Sequence, residues 1–147
     1  MIEKKDLDIL GLLEERGKIS TKQISRRLRI PQTTVHNRIK KMEKEDIIKG
    51  YKVVVNKKAI GKGVGAYIYI TVNYPPEDVN FQENMAKKLS LFPEVEEVAI
   101  ITGETDILVK FYVADTDELN DFVTKKLRSI KGIDKTRTSI IMKQMKG

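Results

Sequence analysis

One run of the chain, residues 31–45 (PQTTVHNRIKKMEKE), gathers side chains suited to reading a polyanion. Gln32, Thr33, Thr34, His36, Asn37, Arg38, Lys40 and Lys41 all fall within it. Their amide, hydroxyl, imidazole and cationic groups can hydrogen-bond base edges or phosphates. Val35, Ile39 and Met42 recur at spacings of four and three, so at helical period they form one apolar back. A helix with an apolar back and a polar, basic front fits the major groove. The same pattern also describes a solvated surface helix, and the residues before it decide between the two. Other chemistries find less material. Cysteine is absent and His36 is the single histidine, which removes a thiol nucleophile, a disulfide framework and a His-rich metal cluster. Nothing near His36 forms a nucleophile–base pair. Arg38 has no acid three or four residues away, so it either clamps a phosphate or pairs with an acid elsewhere in its domain.

The elements that must position this helix come before it. Residues 5–15 form a first helix, with Asp6 as its cap and Leu7, Ile9, Leu10 and Leu13 as its apolar face. Gly17 stops it. Ser20 opens a second helix, and Gln23 three residues on completes a capping box. Ile24 and Leu28 are its apolar face. Pro31 breaks the chain, since it disfavours a helical Ile30 yet suits the first turn of a new helix. Three helices with a tight break before the third make a helix-turn-helix, so residues 31–45 become the recognition helix. Ser20 and Thr21, at the start of the second helix, join the candidate DNA-contacting set. Tyr51 and Val53 to Val55 then read as a strand, which makes a winged helix-turn-helix over residues 1–55. Residues 56–65, with three glycines and three lysines, are the linker.

From residue 66 the character changes. Residues 66–72 are β-branched and aromatic, a strand. A helix at 81–91 comes next, then strands at 95–101 and 106–113. Thr116 caps a helix running to about Ile130, Gly132 breaks it, and 133–142 is a last strand. The order β-α-β-β-α-β is ferredoxin-like, an antiparallel sheet with helices on one face, so the class is α+β. The uncovered face invites pairing through sheets, and Tyr67 and Tyr69 belong to it as dimer core rather than as a ligand box. Charge obeys the same division: residues 1–63 hold 17 Lys and Arg against 8 Asp and Glu, a net of +9, and residues 64–147 hold 11 against 13, a net of −2. A basic module joined to a mildly acidic one suggests polyanion binding in the first and another task in the second, over residues 66–147. With 40% apolar and 33% charged residues the composition is globular. No apolar run approaches the ~20 residues of a membrane span, and the N-terminus shows no signal region. The expectation is a cytoplasmic protein with no membrane partner.

Four segments carry a family resemblance: DLDILGLLEERGKIS leading into QISRRL, TTVHNRIKKMEKEDIIKGYKVVVN, KKAIG, and TGETDILV. In this order, over nearly the whole chain, they resemble the Lrp/AsnC transcription regulators of archaeal type, also called feast/famine regulatory proteins. The resemblance implies DNA binding by the N-terminal domain. It implies dimers, often tetramers or octamers, through the C-terminal one. It also implies, as in many members, a free amino acid near Thr102, Gly103, Glu104, Thr105 and Asp106. Gly103 and Asp106 match the family pattern; Thr105 stands where a larger residue is usual. Pro31 replaces a small N-cap residue and Asp46 a glycine. Taken by themselves, Gly103 is also a β-turn glycine, and Asp106 either binds an ammonium or caps the turn. The implied protein is a regulator binding double-stranded DNA at pseudo-palindromic promoter sites. Its half-sites lie about one helical turn (~10 bp) apart, and it needs no cofactor beyond an amino-acid effector. Amino-acid sensing with DNA binding secondary is one alternative. Siroheme decarboxylases share the architecture, but they need basic or His residues in the C-terminal cleft, and the one His lies in the recognition helix.

Overall fold

A computed structural model describes residues 1–145; Lys146 and Gly147, the end of the expected 66–147 module, lie outside the described residues. The chain divides into two compact units, Met1–Val54 and the residues from Val55 on.

The first unit holds α1 (Lys4–Glu15), α2 (Thr21–Leu28) and α3 (Gln32–Lys44). Ile9, Ile24, Val35, Ile39 and Met42 are buried at its centre, with Leu10, Leu12, Leu13 and Leu28 packed against them. The helix α1 corrects three expectations. Leu7 is 56% exposed, because two residues before Ile9 it sits about 160° round the helix. Asp6, inside the buried arc, is not the cap. The helix starts at Lys4, and the Asp6 carboxylate lies in its first turn, accepting the Glu3 N–H at 2.9 Å. The helix ends on Arg16, whose N–H reaches the Leu12 carbonyl at 3.0 Å; Gly17 lies outside the left-handed region. Residues 51–56 carry no strand. Val53 and Val54 are 79% and 82% exposed, and no described strand offers them a ladder to join.

The second unit runs β1 (Val64–Val72), α4 (Phe81–Ser90), β2 (Val95–Ile100), β3 (Ile107–Val113), α5 (Thr116–Asp121) and β4 (Ile133–Ile140). The sheet order is β2-β3-β1-β4, every pair antiparallel, which is the ferredoxin-like arrangement. Strand β1 begins inside the stretch read as linker, pairing Val64 with Val113. The rest of that stretch holds a 3-10 turn at Lys58–Ile60, closed by Gly61 at φ 77°. Alternation along β1 sends Ala66, Ile68, Ile70 and Val72 to the face under the helices, where they meet Met85, Leu89, Phe111, Phe122 and Leu127. Tyr67 and Tyr69 fall on the other face, where Arg137 stacks over Tyr69 at 4.5 Å. The cap of α5 is Asp115, which accepts the Glu118 N–H at 2.9 Å; Thr116 is already helical. The helix then widens to a π turn over Phe122–Lys126 and tightens to a 3-10 turn before Ile130.

Candidate nucleic-acid interface

Two short devices aim α3. The capping box of α2 forms as its sequence requires: Ser20 Oγ accepts the Gln23 N–H at 3.2 Å and Gln23 Oε1 accepts the Ser20 N–H at 2.9 Å. The end of α2 turns sharply. Arg29 is left-handed (φ 55°), the Ile30 N–H returns to the Ser25 carbonyl at 3.2 Å, and Ser25 Oγ donates to the Ile30 carbonyl at 2.6 Å. Pro31 stands one residue before the first helical turn rather than in it, and its carbonyl accepts the Val35 N–H at 3.1 Å. Gln32 Nε2 then donates to Thr21 Oγ1 at 3.1 Å. That bond ties the start of α3 to the start of α2, the two helix ends that face a duplex backbone in this motif. Gln32, a candidate base reader, is therefore also a brace.

With Val35, Ile39 and Met42 buried, the opposite edge of α3 is open: Gln32, Thr33, His36, Asn37, Lys40 and Lys41 are exposed and Thr34 is half-buried. Lys40 Nζ lies 2.9 Å from Glu43 and Lys41 Nζ 3.9 Å from Glu45. Pairs this exposed are weak and leave both ammonium groups able to turn to a phosphate. The Tyr51 hydroxyl donates to the other oxygen of Glu43 at 2.9 Å. The Lys40 and Tyr51 bonds together hold the Glu43 carboxyl below its ordinary range.

Arg38 takes the second of its two roles. Its guanidinium reaches Asp6 at 2.8 Å and Glu3 at 2.6 Å on α1 and the residue before it. Asp6 is only 4% exposed, and its other oxygen takes the Glu3 N–H. The Arg38 bond, then the Glu3 backbone bond, hold the Asp6 carboxyl below the usual range against the opposing effect of burial. Arg38 is thereby tied to α1. It fixes α3 against α1 through one donor on each terminal nitrogen, two of the five that a guanidinium carries. Spacing along one helix does not reveal this pair, since its members lie 32 and 35 residues apart.

The loop at residues 102–106 is held by bonds within its own unit. Gly103 sits at φ 120°, a conformation that requires glycine. Both oxygens of Asp106 are used inside the unit, one by the Val72 N–H and one by the Tyr74 hydroxyl, each at 2.8 Å. Its backbone bonds Ile70 and Ile101, and its carbonyl also accepts from Gln82 Nε2 at 3.2 Å. Burial and the Asp106 carboxylate push the Tyr74 hydroxyl up. Of the two roles open to Asp106, the geometry is that of a turn anchor. Thr102 and Glu104 are exposed, Thr105 half-buried. Among the described residues no cluster of acids and histidine has metal-holding geometry, and no helix is long and apolar enough to cross a membrane.

Comparison with known proteins agrees with this division. Residues 67–147 match the family model described as Lrp/AsnC ligand binding domain, and residues 2–49 match winged helix-turn-helix DNA-binding. An HTH-type transcriptional regulator of Pyrococcus furiosus is 34% identical over 140 residues, covering 95% of this chain and 92% of that protein. The structure of a Neisseria meningitidis transcriptional regulator, solved in complex with L-Met, is similar with a TM-score of 0.90 at 25% identity, covering 100% of this chain and 94% of the other. Escherichia coli AsnC is similar with a TM-score of 0.83 at 25% identity, covering 100% and 96%.

Proposed function

The chain belongs to the Lrp/AsnC family of transcriptional regulators, a family of regulators rather than of enzymes, and on that premise we propose that it binds pseudo-palindromic promoter DNA as a dimer or higher oligomer in the cytoplasm. The observation that carries this reading is the division of α3: a buried spine, an arginine committed to α1, and an exposed row of Gln32, Thr33, His36, Asn37 and Lys40 along one edge. The first four are the base-reading set, because the N-terminal part of a recognition helix enters the groove first. Lys40 and Lys41 continue as backbone contacts, with Ser20, Thr21 and Thr34 beside them on the phosphate side. Two copies place two such helices on half-sites about one turn of duplex apart.

Selection of bound sequences from a random DNA library tests this reading. The expected product is an inverted repeat, bound with an affinity that falls steeply as salt rises. Asn37→Ala relaxes preference at one base pair by about 1–3 kcal/mol, whereas Lys41→Ala lowers the salt slope by about 0.9 with preference unchanged. Equal weakening of every sequence by both changes removes the base-reading assignment.

An amino acid modulates the regulator in this reading. Two observations favour it: the match of residues 67–147 to a ligand-binding domain, and the similarity to a regulator solved with L-Met. Within the loop, Thr102, Gly103, Glu104 and Thr105 remain candidates for contact, with Asp106 holding their turn. Titration calorimetry with the common amino acids, and their effect on assembly state, tests the modulation separately from DNA binding.

A further inference from the structure

The helix α3 holds a single acid, Glu43. His36, Lys40 and Glu43 repeat the spacing of Val35, Ile39 and Met42 one residue further on, so they form a second stripe beside the buried one. An acid beside a surface that meets phosphates weakens binding to every sequence alike, unless some sequences give it a partner. A plain surface pair, such as Lys41 with Glu45 at 3.9 Å, fixes neither side chain. Glu43 is fixed. Its side chain is 30% exposed, and its two oxygens have donors from two directions. Oε2 accepts from Lys40 Nζ at 2.9 Å, and Oε1 accepts from the Tyr51 hydroxyl at 2.9 Å. Tyr51 arrives there because the chain doubles back after α3. Asp46 is left-handed, and the Ile47 and Ile48 N–H groups both return to the Met42 carbonyl, at 2.9 and 3.1 Å.

DNA acts differently on the two bonds. The Lys40 side chain is 64% exposed, and in the proposed complex its ammonium passes to a phosphate. The Tyr51 hydroxyl is neutral and keeps its bond. Oε2 then becomes an anchored carboxylate oxygen without a donor, on a carboxyl held ionised by its neighbours and able only to accept. In the major groove the partner of such an oxygen is an exocyclic amino group. Adenine sets its N7 acceptor beside that group, whereas cytosine has no second acceptor there. Guanine and thymine present carbonyl oxygens, which leave the carboxylate unpaired.

We propose that Glu43 is a base-reading residue that selects cytosine, unmasked when Lys40 passes to a phosphate and positioned by Tyr51. The proposal rests on the reading of α3 as the DNA-recognition helix, and it adds a carboxylate to the base-reading set.

The test is selection of bound duplexes from a random library by the full chain, unaltered and with Glu43→Ala, Glu43→Gln, Tyr51→Phe or Glu45→Ala. Each position of the selected site is then replaced in turn by every base pair. The unaltered chain is expected to prefer cytosine at one position of each half-site by about 10-fold or more, at a position distinct from the one that Asn37→Ala relaxes. Glu43→Ala is expected to lose that preference and keep the others. Glu43→Gln, with its oxygen on Tyr51, turns an amide N–H to the base and is expected to favour guanine or thymine there. Tyr51→Phe keeps the ring and is expected to weaken the cytosine preference without shifting it. Glu45→Ala removes the same charge two residues on and is expected to strengthen every sequence equally. An unchanged thermal transition shows that each variant is folded. If Glu43→Ala also strengthens every sequence equally, Glu43 acts only through its charge and the proposal is overturned, with recognition by α3 intact. An undiminished cytosine preference in Tyr51→Phe overturns the role of Tyr51. Selection of no motif by the unaltered chain overturns both the proposal and the reading of α3.

Discussion

The two units make sharp left-handed turns by different means. In the C-terminal unit Gly61, Gly103 and Gly132 occupy the left-handed positions. In the N-terminal unit the left-handed residues are Arg29 at φ 55° and Asp46 at φ 56°, and they flank α3 at either end. Both belong to the same closing motif. After Arg29 the Ile30 N–H returns to Ser25; after Asp46 the Ile47 N–H returns to the Met42 carbonyl at 2.9 Å. In both cases the next residue is an isoleucine drawn against the core. The difference teaches how each unit holds its shape. The sheet unit has twelve buried residues in its core and a backbone that agrees with its sequence at each left-handed turn. The helical unit has five, and its recognition helix is held in position by packing and by the Arg38–Asp6 pair against local backbone preference.

The largest expected effect comes from the smaller core. Ile24 is fully buried between α1 and α3. Ile24→Ala should remove about 2–5 kcal/mol, a large share of what a core of five residues supplies. Scanning calorimetry is expected to show the N-terminal transition lost or far lower, the C-terminal transition in place, and DNA binding abolished. A single transition that shifts as a whole would show that the units do not melt separately.

Next is the polar clamp. The Asp6 carboxyl is held below its ordinary value chiefly by Arg38. A depressed carboxyl contributes stability that is fully present above its unfolded pKa, about 3.9, and is lost as pH falls through the lower folded value. The N-terminal unit should therefore lose stability on acidification below about pH 4. Asp6→Ala should lower its melting temperature at pH 7 and remove that part of the acid slope. An Asp6→Ala chain that keeps the native slope would place the titration elsewhere.

Asp106 offers the contrast, since its oxygens accept from two neutral donors instead of a cation. Asp106→Ala leaves the Val72 N–H without its partner and should cost the C-terminal unit about 1–3 kcal/mol. Asp106→Asn keeps one acceptor and should cost less. Denaturant titration of both variants checks the order, and equal losses would mean that the carboxylate charge itself holds the loop.

Much of this fold is legible in the chain. The period of Val35, Ile39 and Met42, the Ser20–Gln23 box, the strand order of the second unit and the alternation that separates Ile68 from Tyr69 are local patterns, and local patterns are what periodicity reads. The features that escape it are long-range or cooperative. Arg38 finds its acids on another helix. Asp6 looks like a cap in sequence and becomes a buried partner only when α3 packs on α1. Val53 to Val55 have the composition of a strand, but a strand needs a neighbour, and no described strand stands beside them.

The smallest expected effect probes the turns themselves. Glycine at a left-handed position relieves the steric cost that a Cβ imposes, but it enlarges the unfolded ensemble, so the net gain is a fraction of the strain. Arginine has no local means of easing the left-handed conformation, whereas aspartate tolerates it through its short polar side chain. Arg29→Gly should therefore stabilise the N-terminal unit by up to about 1 kcal/mol, and Asp46→Gly by less. Urea midpoints of the two variants decide the matter with slopes unchanged. If Arg29→Gly destabilises, the Ile30 and Ser25 contacts have already removed the strain, and the contrast between the units lies only in their cores. If both gain equally, side-chain chemistry at the turn is irrelevant and the backbone alone sets the cost. An ordered outcome, with the gain at arginine above that at aspartate, is expected if the packing of Ile30 and Ile47 holds α3 in place and the turns that flank it do not.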